Sequence, residues 1–256
     1  MILLLRTGPW IPKQLVDPIT LPSSIFNYKK LNIMAQSLSM QSEKKLITVD
    51  ITSDTVCPWC FIGKRHLNKA MDASKDLYNF RVRWHPFLLN PSAPKEGIEK
   101  TVYWKQKFGD ENVEPIISRV SKACQVVGID FKSGGLTGNT LDSHRLIAFA
   151  SQQGLEKQNA LVEELFLNYF TQQKYIGDRK VLLEAAEKVG ITGAKEWLDD
   201  PNNGLKEINE ELQIYARSVT GVPHFLINGQ YKLHGAQQSE TFLKAFQVAA
   251  TDDKAN

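Results

Sequence analysis

Hydrophobic and polar positions fall into regular patterns from Lys45 onward. Leu46 to Thr52 is rich in β-branched residues and reads as a strand. A helical stretch follows to about Lys75. Phe80-Arg81-Val82-Arg83-Trp84-His85 then alternates with a period of two and reads as a second strand. A strand, a helix and a strand in this order predict a right-handed β-α-β unit with parallel strands. Near the other end, His224-Phe225-Leu226-Ile227 is an apolar strand, Asn228-Gly229 a hairpin turn, and Tyr231-Lys232-Leu233-His234 the return strand. Ser239, Phe242, Leu243 and Phe246 carry the spacing of a closing amphipathic helix. The terminal unit is therefore β-β-α.

Between the two halves the pattern is helical almost throughout. Helices are expected at roughly 99–108, 113–127, 140–153, 156–172, 178–189 and 202–219. Gly109, Gly128, Gly134-Gly135, Gly154, Gly177 and Gly190 act as stops, and Asp178 is an expected N-cap. The predicted architecture is an α/β, thioredoxin-like sheet (β-α-β plus β-β-α) split by a large all-helical insertion. Residues 45–88 and 219–250 form the split domain and 89–218 the insertion.

Residues 1–44 differ from the rest. Four of the eleven prolines, Pro9, Pro12, Pro18 and Pro22, lie in the first 22 positions and rule out a continuous helix there. Ile2-Leu3-Leu4-Leu5 is too short to span a membrane and lacks the flanks of a secretory signal. We read the segment as a disordered leader or targeting segment. The expected setting is the cytoplasm, or an organelle (plastid or mitochondrion) if residues 1–44 are a transit peptide.

Charge excludes one class of function. Arg6, Lys13, Lys29 and Lys30 against Asp17 account for the whole formal charge of +3, so residues 43–256 carry 27 basic and 27 acidic side chains. No basic stripe marks the body as a nucleic-acid binder, and no apolar run is long enough for a membrane span. Three cysteines in 256 residues are too few for a structural disulfide framework.

The chemistry lies in Cys57-Pro58-Trp59-Cys60, placed between the first strand and the helix that follows. Cys57 falls at the helix N-terminus, where unpaired backbone N–H groups and the helix dipole favour a thiolate. Cys60 lies one turn further on the same side, within reach of a disulfide. Pro58 suits the first helical position because its missing N–H is not needed there. The pair reads as a dithiol that cycles with a disulfide. The third cysteine, Cys124, sits in an amphipathic helical pattern and reads as a small core residue, with a third redox thiol as the other option.

In the second half, Val222-Pro223 immediately precedes the strand His224 to Ile227. A cis proline there would present the backbone of Val222 to an extended substrate beside Cys57, and Gly221 would allow close approach. Trp59, between two cysteines, is expected as an apolar lip for substrate. His144 is a candidate to line the cleft, against a packing or capping role. His224 is a candidate to touch substrate, against an exposed edge-strand position. Asn139 and Thr140 are cap candidates. Asp50 reads either as a buried acid assisting Cys60 or as a solvated carboxylate.

These patterns resemble the DsbA-like thioredoxin family, and within it the FrnE-like branch. The residues that carry the resemblance are Asp54-x-Val56-Cys57-Pro58-Trp59-Cys60-x-Ile62-Gly63-Lys64, Trp84-x-Pro86-Phe87-x-Leu89-x-Pro91, Asn139-Thr140-x-x-x-His144-Arg145, Gly221-Val222-Pro223-x-Phe225-x-Ile227-Asn228 and Gly235-Ala236-Gln237. The resemblance implies a thiol–disulfide oxidoreductase with Cys57 as nucleophile, Cys60 as resolving thiol and Pro223 as the cis proline. The expected partner is a thiol or disulfide substrate, protein or glutathione-like, with no cofactor and no metal. Trp59 replaces the histidine of periplasmic DsbA proteins, which predicts a less oxidising couple. A related reading is a glutathione-dependent kappa-type transferase or isomerase, whose members typically carry serine at the place of Cys57. A zinc site would need a second ligand pair that the chain does not supply.

Overall fold

The computed structural model describes residues 44–252, so the expected leader, apart from Lys44, lies outside the described residues. A four-stranded sheet in the order β2-β1-β5-β6 organises the fold. β1 (Lys45–Ser53) pairs in parallel with β2 (Tyr78–Pro86) across the helix α1 (Pro58–Ser74). β5 (His224–Ile227) pairs antiparallel with β1 on its other side, and β6 (Tyr231–His234) completes the sheet. The chain closes with α9 (Ser239–Thr251), which packs beside α1.

Alternation in β1 sends Ile47, Val49 and Ile51 fully into the core, where they meet Phe61, Leu67, Phe225, Phe242 and Phe246. Full burial of one such side chain contributes about 1.5–3 kcal/mol. The hairpin turn is set by Asn228 and Gly229, both at positive φ (48° and 67°). Asn228 also binds across the sheet: its Oδ1 accepts the Thr48 N–H at 2.8 Å and its Nδ2 donates to the Ala249 carbonyl at 3.1 Å. One residue thus shapes the turn and ties α9 to β1.

Between the halves lie α2 (Lys100–Phe108), α3 (Asp110–Val126), α4 (Leu141–Gln152), α5 (Leu155–Phe170), α6 (Arg179–Lys188), α7 (Ala194–Asp199) and α8 (Leu205–Glu211). The insertion is not all helical. β3 (Ile98–Glu99) and β4 (Leu136–Thr137) form a two-residue antiparallel ladder that packs against α2. Pairs this short leave no periodicity to read. The expected helix over 202–219 is broken: α8 gives way to a wide π-helical turn, Leu212–Ala216. Thr52 Oγ1 donates to the Tyr215 carbonyl of that turn at 3.3 Å. The short α7 was not expected at all. Pro115 is accommodated inside α3 near its start, so this helix begins at Asp110, earlier than the pattern indicated.

The insertion is anchored to the sheet by α5. Gln158 receives the Trp84 N–H and donates to the Trp84 carbonyl, both at 3.1 Å, completing the outer edge of β2 with a side-chain amide. Phe166 and Phe170 stack on Phe61 with ring centroids 5.1 and 5.9 Å apart. Lys64 is buried and paired with Glu163 at 3.0 Å, which Arg65 also engages. A buried cation without that carboxylate would carry an uncompensated desolvation cost.

Candidate active site

The end of β1 turns directly into α1. Asp54 accepts the Cys57 N–H through its backbone carbonyl at 3.1 Å, and Cys57 caps the helix in an extended conformation (φ −91°, ψ 114°). Pro58 occupies the first helical position, as its geometry favours. The Cys60 N–H returns to the Cys57 carbonyl at 3.1 Å. Cys57 therefore stands at the positive end of a 17-residue helix, although its sulfur makes no capping hydrogen bond.

The two cysteines differ in environment. Cys57 is 4% exposed and Cys60 is 1% exposed. Burial pushes the Cys60 thiol well above its ordinary pKa, and the hydrogen bond and charge of Cys57 push it further; a hydroxyl contact from Ser53 only partly opposes this. Cys60 therefore waits protonated behind Cys57. Cys124 lies far along α3, buried in the core, and burial alone pushes its thiol up to about 11. That environment opposes a role as a third redox thiol.

The Val222–Pro223 peptide is cis. Cys57 Sγ lies 3.6 Å from the Val222 carbonyl oxygen, so the loop before β5 directly faces the motif. Nothing stands within 4 Å of where a Cβ on Gly221 would be. Gly63, one turn beyond Cys60, faces the other side of the loop. A Cβ there would meet Pro223 Cγ and Phe225 Cζ at 3.1 Å each. The close approach of α1 to the loop thus favours glycine at position 63.

A cavity of about 380 Å³ opens in front of Cys57. Cys57, Trp59, Asp54, Gly221 and Val222 form one part of its lining. Tyr103, Trp104 and Phe108 of α2, Ile116 and Val120 of α3, and Tyr169 and Phe170 of α5 form an aromatic and aliphatic part facing them. Trp59 is half-buried, packed on the core and lining the cavity.

Two expected substrate contacts stand elsewhere. His224 is buried, and β5 is an inner strand between β1 and β6, so it is neither at a sheet edge nor in the cavity lining; its ring packs at 4.8 Å from that of His234. His144 is buried in α4 behind the motif, with Nε2 3.5 Å from Asp54 Oδ1, and it too is absent from the cavity wall. Asn139 caps α4 through Oδ1, which accepts the Leu141 N–H at 2.9 Å, while Thr140 makes no side-chain cap. Asp50 sits away from Cys60: its Oδ1 binds His85 Nε2 at 2.9 Å.

The buried acid next to the motif is instead Asp54, fully buried, with Oδ2 accepting the Leu89 N–H at 2.7 Å. Its position at the strand–helix junction, three residues before Cys57, was the available signal. The aromatic wall was also unforeseen, although Tyr103-Trp104 and Tyr169-Phe170 stand as pairs in the sequence. Among the described residues, no group of three or more His, Cys, Asp or Glu side chains is arranged to hold a metal ion. No helix among them is long and apolar enough to cross a membrane.

Comparison with known proteins agrees with this geometry. Residues 48–247 match the model of the DSBA-like thioredoxin domain. The chain is 26% identical over 207 residues to YwbO of Bacillus subtilis, covering 78% of this chain and 95% of that protein. The crystal structure of the probable DsbA oxidoreductase SCO1869 from Streptomyces coelicolor superposes with a TM-score of 0.75 at 26% identity, over 81% of this chain and 92% of that one. The cytosolic disulfide reductase DsbM from Pseudomonas aeruginosa, solved with GSH, shares the fold at a TM-score of 0.56 and 15% identity, over 78% and 98% of the two chains. With a strand that ends in a dithiol helix, a cis-proline loop facing it and a family match over most of its length, the chain belongs to the DsbA-like thioredoxin family.

Proposed function

We propose that this protein is a thiol–disulfide oxidoreductase in which Cys57 attacks substrate and Cys60 resolves the mixed disulfide. The observation that carries the reading is the position of Cys57 Sγ. It stands at a helix N-terminus, 3.6 Å from the Val222 carbonyl, on the wall of a cavity. The Cys57 thiolate attacks a substrate sulfur, and one half of the substrate leaves as a thiolate. Cys60 then loses its proton, attacks Cys57 Sγ and releases the second half, leaving a Cys57–Cys60 disulfide. Burial of Cys60 keeps it from competing for the first attack. Trp59 and Val222 border the incoming sulfur, and Pro223 shapes the loop that faces it.

We place the protein in the FrnE-like branch on its Asp54-to-Lys64 and Trp84-to-Pro91 patterns. A reducing compartment such as the cytosol suits a chain whose three cysteines are too few for a structural disulfide framework.

Exchange assays on two variants test the reading. Cys57→Ser abolishes reduction of a protein disulfide, and Cys60→Ser accumulates a mixed disulfide at Cys57 that intact-mass measurement detects. Full exchange by Cys57→Ser contradicts the assignment, and conjugation of glutathione to an electrophile by that variant supports the transferase reading instead.

A further inference from the structure

The cavity changes character along its length. Among the described residues Asp54, at the Cys57 end, is the only acidic one in its lining, and that carboxylate is already held by the Leu89 N–H. Away from Cys57 the cavity continues into a second hollow lined by Phe108, Asn112, Pro115, Ile116 and Arg119. Phe108, Ile116 and Arg119 belong to both spaces, whereas Cys57 and Val222 belong to the first alone. The cavity thus has a sulfur end and an α2–α3 end, joined by an aromatic wall.

Two cations line it, Lys107 and Arg119. Among the described residues, neither has a carboxylate oxygen within 4.0 Å, whereas Lys105 on the same helix is paired with Asp110 at 3.6 Å. Lys107 Nζ is 3.4 Å from Tyr103 Oη and lies 5.5 Å from the ring centres of both Tyr103 and Phe108, two of the wall residues. A ring-held cation of this kind is attracted to the aromatic faces and stays beside the space they enclose. The volume of about 380 Å³ lies within the roughly 300–1,000 Å³ typical of small-molecule sites.

We infer that the cavity takes a small apolar disulfide bearing a carboxylate, with its sulfurs at Cys57 and its anionic group at Lys107 and Arg119. The inference rests on the oxidoreductase reading above and names the substrate class of the same site. The aromatic wall takes the apolar body, and the cations supply charge-assisted hydrogen bonds to the carboxylate. The exchange balances without a further reagent. Cys57 Sγ forms a bond to one substrate sulfur as the substrate S–S bond breaks and the first thiolate leaves. Cys60 releases its proton to water, bonds to Cys57 Sγ and expels the second thiolate. The protein dithiol loses two electrons and the substrate disulfide gains them.

Single-turnover mixing of the reduced protein with two aryl disulfides tests this inference. 5,5′-Dithiobis(2-nitrobenzoate) carries carboxylates, and 4,4′-dithiodipyridine is uncharged at neutral pH. The ratio of the two rate constants cancels changes in Cys57 reactivity. In the Lys107→Gln/Arg119→Gln variant the anionic-to-neutral ratio falls about fivefold. In the Lys105→Gln/Lys195→Gln variant, which removes the same charge outside the cavity, it changes by less than twofold. An unchanged ratio in the first variant, or an equal fall in both, overturns the inference while leaving the exchange chemistry standing. Failure of the unmodified protein to react with either disulfide removes the oxidoreductase reading itself, and the substrate class with it.

Discussion

Gly63 shows how a single position holds the site together. Helix propensity alone would favour alanine there by about 1 kcal/mol. A methyl group would press on Pro223 and Phe225 at 3.1 Å, and overpacking of a filled contact costs about 1–3 kcal/mol. The two effects nearly cancel in stability but not in position, since relief requires α1 and the Pro223 loop to separate. Gly63→Ala therefore leaves the denaturation midpoint within about 1 kcal/mol of the parent and lowers the rate of disulfide exchange several-fold. A large loss of stability with unchanged exchange would contradict this. The positions of Cys57 and Cys60 were legible in sequence because the strand–helix pattern puts one residue at the helix end and the other a turn behind it. The histidines were not. His144 and His224 carry the right chemistry in suggestive places, but their burial is decided by packing between elements that no local pattern encodes.

At the scale of elements, β2 is joined to the last turns of the insertion by a polar cluster. His85 is stacked on Tyr215 with ring centroids 3.5 Å apart, binds Asp50 at 2.9 Å and faces Glu211 at 3.4 Å. Burial by itself would lower the His85 pKa, but Asp50 and Glu211 together outweigh it and leave the value raised above 6.5. A histidine with a raised folded-state pKa contributes stability that is fully present below the unfolded value of about 6.5 and is lost as pH climbs through the folded value. The stability difference between the parent and His85→Gln, from denaturant midpoints, is therefore larger at pH 6 than at pH 8.5. A difference that grows with pH would reverse the sign and refute the pairing. The strands and main helices were legible because period-two and helical patterns are local. The β3–β4 ladder, α7 and the π-helical turn were not, because two to six residues carry too little periodicity and are held by contacts such as Thr52 with Tyr215.

Over the whole molecule, the insertion does more than interrupt the sheet domain. Its loops together with its helices α2, α3 and α5 supply most of the cavity wall in front of a thiol that the sheet domain supplies. Sequence patterns reached the sheet, its parallel pair and its hairpin, yet they could not assemble a cavity whose lining comes from segments scattered between Asp54 and Val222. The central claim is that Cys57 and Cys60 form one two-electron couple while Cys124 stays out of it. A redox titration against glutathione, followed by peptide mapping of every cysteine at each potential, tests this most directly. The account predicts one transition, a Cys57–Cys60 disulfide on its oxidised side, and Cys124 as a thiol throughout. A transition that links Cys124, or an oxidised protein without the Cys57–Cys60 bond, would contradict it.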